Sequence, residues 1–256
     1  MRKLRDVFYV KAYPEDIVIE YYGMEMEEFM RCSPIKPDKL LFLEARYSWA
    51  DFHQHTGMEI LEGDKINGLL QDDIYGYGDF CWVDYDKTEH LNALSPQEIA
   101  ELLYLGHMFR PLDRPFFERI QNRYAYLAHD DGWFCRLYLK QFDDLKELIA
   151  NKVVGMASTS KRRKIYPFPD ALKERLAQLA QNGLLIDFGH MNRYKSVLEI
   201  HIYTIGEHSD MDSMYNNLQR HISRAAFSAC LVHKRKQWAM EHIHERPDFP
   251  ETIATP

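Results

Sequence analysis

Alternation of apolar and polar residues predicts strands in several parts of the chain. Residues 5–13 alternate and are followed by a proline, so they are predicted to form an opening strand. Residues 124–128 and 133–139 flank an Asp-Gly pair, which favours a tight turn, and they are predicted to form a β-hairpin. Residues 184–188 and 196–204 are predicted to form a second strand pair around a polar turn.

Helical spacing and capping residues predict several helices. Residues 95–98 (Ser-Pro-Gln-Glu) form a capping box with proline at the first helical position, and leucines follow at helical spacing. Pro169 begins another helix that ends at Asn182-Gly183. A capping box at 56–59 predicts a helix towards Leu70. Apolar residues at three- and four-residue steps predict a long amphipathic last helix over 209–242.

These elements predict an α+β fold in which antiparallel β-hairpins are packed by helices. The helix–strand–turn–strand–helix order occurs twice along the chain, which suggests two lobes, residues 1–155 and residues 165–256. Residues 156–164 combine small polar residues with four bases and are predicted to be a linker or loop. One continuous domain is the alternative.

Composition narrows the class of protein. The 256 residues are 46% hydrophobic and 28% charged, which is typical of a globular protein with a sizeable core. Four cysteines occur without a C-x-x-C pair, so no zinc-ribbon or thioredoxin signature is present, and reduced, buried thiols are expected. No window approaches the roughly 18 apolar residues of a membrane helix, and no apolar segment follows the basic first residues. A cytoplasmic protein without a membrane partner is therefore expected.

Asp51, His53 and His55 form the first candidate site. On an extended segment alternate side chains share a face, so one carboxylate and two imidazoles point together. Such ligands suit zinc or another divalent metal, the cofactor class that the chain suggests. The alternative interpretation is hydrogen-bonded or solvated loop histidines.

Glu199, His201 and Tyr203 form the second candidate site, because they alternate with three apolar residues of a predicted strand. An acid, an imidazole and a phenol on one face can serve general acid–base catalysis. A solvated outer face of a sheet produces the same pattern.

The basic residues Lys161, Arg162, Arg163 and Lys164 form the third candidate site. They can bind phosphate, nucleic acid or an acidic protein surface, and bases of the last predicted helix can extend the patch. The net charge of −7 argues against general nucleic-acid binding. A short solvated basic loop is the alternative.

Four segments together resemble a family of bacterial proteins of unassigned activity. They are SPQEIAELLYLGHMFRPL, NRYAYLAHDDGWFCRLYLK, KIYPFPDALKERLAQLAQNGLLIDF and IYTIGEHSDMDSMYNNLQ, and the likeness covers most of residues 80–220. Some relatives are labelled oxalate–formate antiporter, a label that the missing membrane spans contradict. The resemblance implies a bacterial cytoplasmic protein and supplies no catalytic residue.

The favoured function is a non-catalytic binding or regulatory module that binds a protein partner or self-associates through its last helix. The chain has no Walker loop, no G-x-S-x-G and no H-E-x-x-H, and Asp187-Phe188-Gly189 lacks the other kinase motifs. A metal-dependent hydrolase built on Asp51, His53 and His55 is the alternative. Nucleic-acid binding through residues 161–164 and the last helix is a second alternative, and whether the chain is an enzyme stays open.

Overall fold

The computed structural model describes residues 6–44, 47–72, 79–108, 110–129, 134–158, 165–208 and 210–246. The strands are β1 (Val7–Tyr13), β2 (Val18–Tyr22), β3 (Lys39–Glu44), β4 (Asp51–His53), β5 (Met58–Glu62), β6 (Phe80–Asp84), β7 (Tyr124–His129), β8 (Phe134–Leu139), β9 (Leu184–Tyr194), β10 (Val197–Thr204), β11 (Phe227–Lys234) and β12 (Gln237–Glu245). The helices are α1 (Met26–Cys32), α2 (Asp64–Leu69), α3 (Thr88–Leu91), α4 (Pro96–Met108), α5 (Asp144–Ala157), α6 (Asp170–Ala180), α7 (Met211–Asn216) and α8 (Leu218–Ser223). In these ranges no helix is long and apolar enough to cross a membrane.

The chain divides into two compact units. The terminal unit comprises the described residues of Met1–Ala12 and Ile149–Pro256, and the central unit comprises those of Tyr13–Leu148. Strand β1 therefore belongs, except for its last residue, with the C-terminal half of the chain.

The terminal unit is built on an antiparallel sheet with the strand order β12-β11-β10-β9-β1. The β11–β12 connection is a two-residue turn in which Arg235 and Lys236 have φ angles of 51° and 71°. Two consecutive left-handed residues match the right-handed twist of paired strands and allow a tight hairpin. Helix α6 contacts β9 and β12, and its leucines are buried.

The central unit is built on an antiparallel sheet with the strand order β2-β8-β7-β6-β3-β5-β4. One face packs on α4 through a core that includes Leu41, Leu102 and Leu127. The other face carries an aromatic cluster in which the Trp82 and Tyr126 rings stack with centroids 5.0 Å apart. Burying both faces explains why the middle strands β3, β6 and β7 are apolar almost throughout.

A buried polar network connects the strand ends of the central unit. The Arg123 side chain donates from Nε to Asp144 Oδ2 (2.7 Å) and from Nη2 to Asp144 Oδ1 (2.6 Å). Asp84 Oδ1 accepts the backbone N–H groups of Arg123 (2.9 Å) and Tyr124 (2.6 Å). Burial raises the pKa of Asp84 to about 6, against the lowering effect of these hydrogen bonds.

Several local predictions are confirmed. Helix α4 begins at Pro96, and its capping box is formed by the backbone N–H of Ser95, which donates to Glu98 Oε2 at 2.7 Å. Strands β7 and β8 pair antiparallel, as do β9 and β10. Helix α6 follows Pro169, and Gly183, with φ of +71°, lies just beyond its end.

The predicted fold class is wrong in its central feature, because antiparallel sheets dominate the chain and its described C-terminal end is a strand hairpin. The predicted long amphipathic helix is also wrong: α7 and α8 are short, and Asn217 between them has φ of −107° and ψ of 20°. Residues 227–233 are buried or half-buried at every position. In such a nearly continuous buried run, some apolar residues always fall at three- and four-residue steps, so the spacing did not distinguish a helix from a buried strand. The hypothesis of self-association through a long last helix therefore has no structural support.

The predicted helix over residues 56–70 is wrong for its first half. Thr56 and Gly57 form a turn, in which Gly57 has φ of +70°, and strand β5 follows. Glu59 does not close a capping box, because its Oε2 accepts the backbone N–H of Tyr47 (2.9 Å). Only α2, after Gly63, is helical.

Candidate functional site

An open cavity of about 490 Å³ lies on one face of the terminal unit, where β9 and β10 meet α8. The lining residues are Asp187, Gly189, His190, Met191, Asn192, His201, Tyr203, Gln219 and Ile222. The volume lies within the range of small-molecule sites.

Strand register explains why chemically active side chains share this face. Along β10, Leu198, Ile200 and Ile202 are fully buried, whereas His201 and Tyr203 are half-buried on the opposite face. Asp187 of β9 lies directly opposite His201 in the antiparallel pair. Because directly opposed residues point to the same side of a sheet, Asp187 joins the two β10 residues at the cavity.

Asp187 holds the imidazole of His190. The Asp187 carboxylate is 3% exposed, and its Oδ2 accepts a hydrogen bond from His190 Nδ1 at 2.7 Å. Its Oδ1 accepts the backbone N–H of His190 at 3.2 Å. A carboxylate on Nδ1 fixes the neutral ring as the Nδ1–H tautomer, so Nε2 is an acceptor that can take up a proton. The His190 side chain itself is 52% exposed and thus accessible to a ligand.

Cys230 of β11 lies beside the His201 ring. Cys230 Sγ lies 3.3 Å from His201 Nδ1. Burial, with the nearby carboxylates of Glu199 and Glu241, raises the pKa of the Cys230 thiol. A protonated thiol can donate to Nδ1, which leaves the ring proton on Nε2, or its sulfur can accept from Nδ1–H. The raised pKa also argues against Cys230 as a thiolate nucleophile.

Tyr203 adds a hydrogen-bond donor beside His201. The two rings stack with an interplanar angle of 13° and centroids 6.4 Å apart. Burial, followed by the charges of Asp187 and Cys230, raises the pKa of Tyr203, so its hydroxyl stays protonated at neutral pH. In the part of the chain that the structure describes, this hydroxyl and the amides of Asn192 and Gln219 make no hydrogen bond within the protein.

Helix α8, which supplies Gln219 and Ile222, is anchored by a histidine pair. The His221 ring contacts the His208 ring edge-to-face at 4.4 Å, and the Tyr9 ring lies 5.9 Å from His208. The Tyr9 hydroxyl donates to the Gly206 carbonyl at 2.8 Å. The cavity wall therefore depends on contacts of the segment that follows β10.

The structure brings two of the three predicted acid–base residues to the cavity. His201 and Tyr203 line it, whereas Glu199 is not among the lining residues and lies opposite Asn192 and Val232 in the sheet. Sequence reasoning missed Asp187 and His190. The signal that could have found them is the i, i+3 spacing of an acid and a histidine at the end of a predicted strand.

The residues of the predicted metal cluster each have a separate partner. Asp51 Oδ2 pairs with Lys65 Nζ at 2.5 Å, and His53 Nδ1 lies 3.1 Å from Thr56 Oγ1. His55 Nε2 lies 2.8 Å from the Leu94 carbonyl oxygen. Among the described residues, no group of three or more His, Cys, Asp or Glu side chains is arranged to hold a metal ion.

The basic segment Lys161, Arg162, Arg163 and Lys164 lies outside the described residues. The bases that were expected to extend it from the last helix are divided between two elements. Arg220 belongs to α8, whereas Arg235 and Lys236 form the β11–β12 turn. They therefore do not lie along one helix face.

Comparison of this chain with known proteins found no relative. No protein-family model, curated protein or solved structure matches this chain. The interpretation of the cavity therefore rests on its own geometry.

Proposed function

We propose that this chain is a small-molecule-binding protein and that its ligand occupies the cavity between β9, β10 and α8. One observation carries the proposal. Among the described residues, the Tyr203 hydroxyl and the Asn192 and Gln219 amides line one cavity without a hydrogen bond to the protein. Polar groups that converge on a concave site without internal partners fit a polar ligand.

The ligand that fits is small and polar, with at least one oxygen that accepts hydrogen bonds. Tyr203 O–H and the amide of Gln219 are donors to such an oxygen, and His201 is a further donor when its ring carries a proton on Nε2. His190 Nε2 is an acceptor when the ring is neutral and a further donor when it is protonated. An oxyanion such as carboxylate or phosphate has the acceptor oxygens that these donors require.

The test is a titration of the full chain with acetate and with inorganic phosphate at pH 6, followed through the histidine Cε1–H resonances. We expect His190 and His201 to shift together and saturably. His53 and His55 belong to the central unit and serve as internal controls in the same spectrum. Equal or non-saturable responses of all four histidines would contradict the proposal.

A matched pair of variants tests the site itself. Gln219→Ala removes one donor from the cavity and is expected to weaken binding about fivefold, the equivalent of one hydrogen bond of about 1 kcal/mol. Gln97→Ala removes an exposed glutamine of α4 that contacts Glu101, and it should leave the affinity unchanged. Equal affinities for the two variants would show that the ligand binds elsewhere.

A further inference from the structure

A second cavity, of about 600 Å³, lies entirely within the central unit. Its floor is formed by neighbouring residues of β2 and β8, among them Glu20, Arg136 and Tyr138. The turn between β1 and β2 forms one wall, with Glu15 and Asp16. Residues 110–115, which follow α4, form another wall with the side chains of two arginines.

The floor presents a guanidinium group that is held in place. Glu20 Oε1 accepts from Arg136 Nε at 3.1 Å and from Arg136 Nη2 at 2.6 Å. The Tyr13 hydroxyl lies 3.4 Å from Glu20 Oε2 and donates to it. The Arg136 and Glu20 side chains are only 22% and 14% exposed, so this pair is screened by solvent less than a surface ion pair.

The two walls carry charge of opposite sign. Arg110 and Arg114 make no ion pair with any described residue, and the same is true of Glu15 and Asp16. Asp113 also lines the cavity beside the arginines, where its Oδ1 accepts the backbone N–H of Arg114 at 2.7 Å. The charges on both walls are therefore left to solvent or to a ligand.

We propose that this cleft binds a small zwitterion whose carboxylate faces Arg110 and Arg114 and whose ammonium group faces Glu15 and Asp16. Guanidinium groups bind carboxylates through paired N–H donors, which makes the arginine wall suited to the anionic end. A ligand with only one charge would satisfy one wall and leave the other without a counterion. Free amino acids and their ω-amino analogues have this chemistry.

The experiment is isothermal titration calorimetry of the full chain with 4-aminobutyrate and 6-aminohexanoate. Each is compared with the carboxylate and the amine of the same chain length. We expect at least one zwitterion to bind about tenfold more tightly than both singly charged analogues, and the preference to weaken at high salt. If neither zwitterion exceeds its analogues, the proposal is overturned.

Variants separate this site from the cavity of the terminal unit. Arg114→Gln should reduce zwitterion affinity at least fivefold. Arg31→Gln, an exposed arginine of α1 that does not line the cleft, should not change it, and neither should Gln219→Ala. Zwitterion affinity that is unchanged in Arg114→Gln, or lost equally in Arg31→Gln, would refute the assignment.

Discussion

Gly183 lies where two backbone segments of the terminal unit approach each other closely, and its replacement by alanine tests this packing. A Cβ atom at Gly183 would lie 1.8 Å from the Gly206 carbonyl oxygen and 2.7 Å from its carbon. Two hydrogen bonds hold the segments at this distance: Ile205 N–H donates to the Gly183 carbonyl (3.0 Å), and Gly206 N–H donates to the Asn182 carbonyl (3.1 Å). Relieving the overlap requires the segments to separate and both bonds to lengthen.

The expected loss follows from two terms. An alanine at φ of +71° costs about 1 kcal/mol relative to glycine. Loss of two backbone hydrogen bonds costs about 1 kcal/mol each. Gly183→Ala should therefore lower the free energy of unfolding by about 3 kcal/mol. Gly206→Ala is the matched control, because Gly206 has φ of +86° but no heavy atom within 4 Å of the added Cβ, and it should cost only about 1 kcal/mol.

Urea denaturation followed by circular dichroism measures both variants, and both report on the same unit because both glycines belong to it. A loss in Gly183→Ala no larger than that in Gly206→Ala would refute the close approach. A second readout is the Cε1–H resonance of His208, which contacts His221 and lies two residues beyond Gly206. It should shift in Gly183→Ala, since the displaced segment carries His208.

Three further predictions, which use four variants, test the electrostatics of the structure. Asp84→Asn should become more stable relative to the parent as the pH rises from 4 to 8 in urea titrations. The reason is that a pKa raised from 3.8 to about 6 makes ionisation cost about 3 kcal/mol in the folded state. Arg123→Met should lower the free energy of unfolding by about 3–5 kcal/mol, because it leaves the Asp144 carboxylate buried without its ion-pair partner. Lys65→Met, the control, breaks an exposed ion pair and should lower it by less than about 1 kcal/mol. Burial and neighbouring cations lower the pKa of His221, so this residue contributes stability above pH 6.5 that is lost on acidification; His221→Gln should flatten that loss in thermal melts between pH 7 and 5.

Local signals account for the elements that were predicted correctly. The capping box at Ser95 and Glu98 forms because the donors and acceptors lie three residues apart, and the glycine after α6 adopts a left-handed φ that few other residues tolerate. The C-terminal hairpin carried weaker signals. Arg235 and Lys236 adopt left-handed φ angles without glycine, asparagine or aspartate, so no turn residue marked the end of β11.

Two of the nine residues that line the candidate site, His201 and Tyr203, could be predicted from the sequence. Alternation along one strand selects the face that carries His201 and Tyr203, and it selects Glu199 equally. Separating these residues requires the position of α8 and the register of β9, which are long-range properties. Asp187 illustrates the same limit, because the chain alone shows an Asp-Phe-Gly triplet that matches no companion motif. Only its pairing opposite His201, with its carboxylate on His190 Nδ1, gives the aspartate a chemical role at the cavity. Long-range pairing therefore sets the one proton position that the geometry fixes, because the Asp187 carboxylate holds the proton of the neutral His190 ring on Nδ1 and leaves Nε2 as an acceptor for a polar ligand.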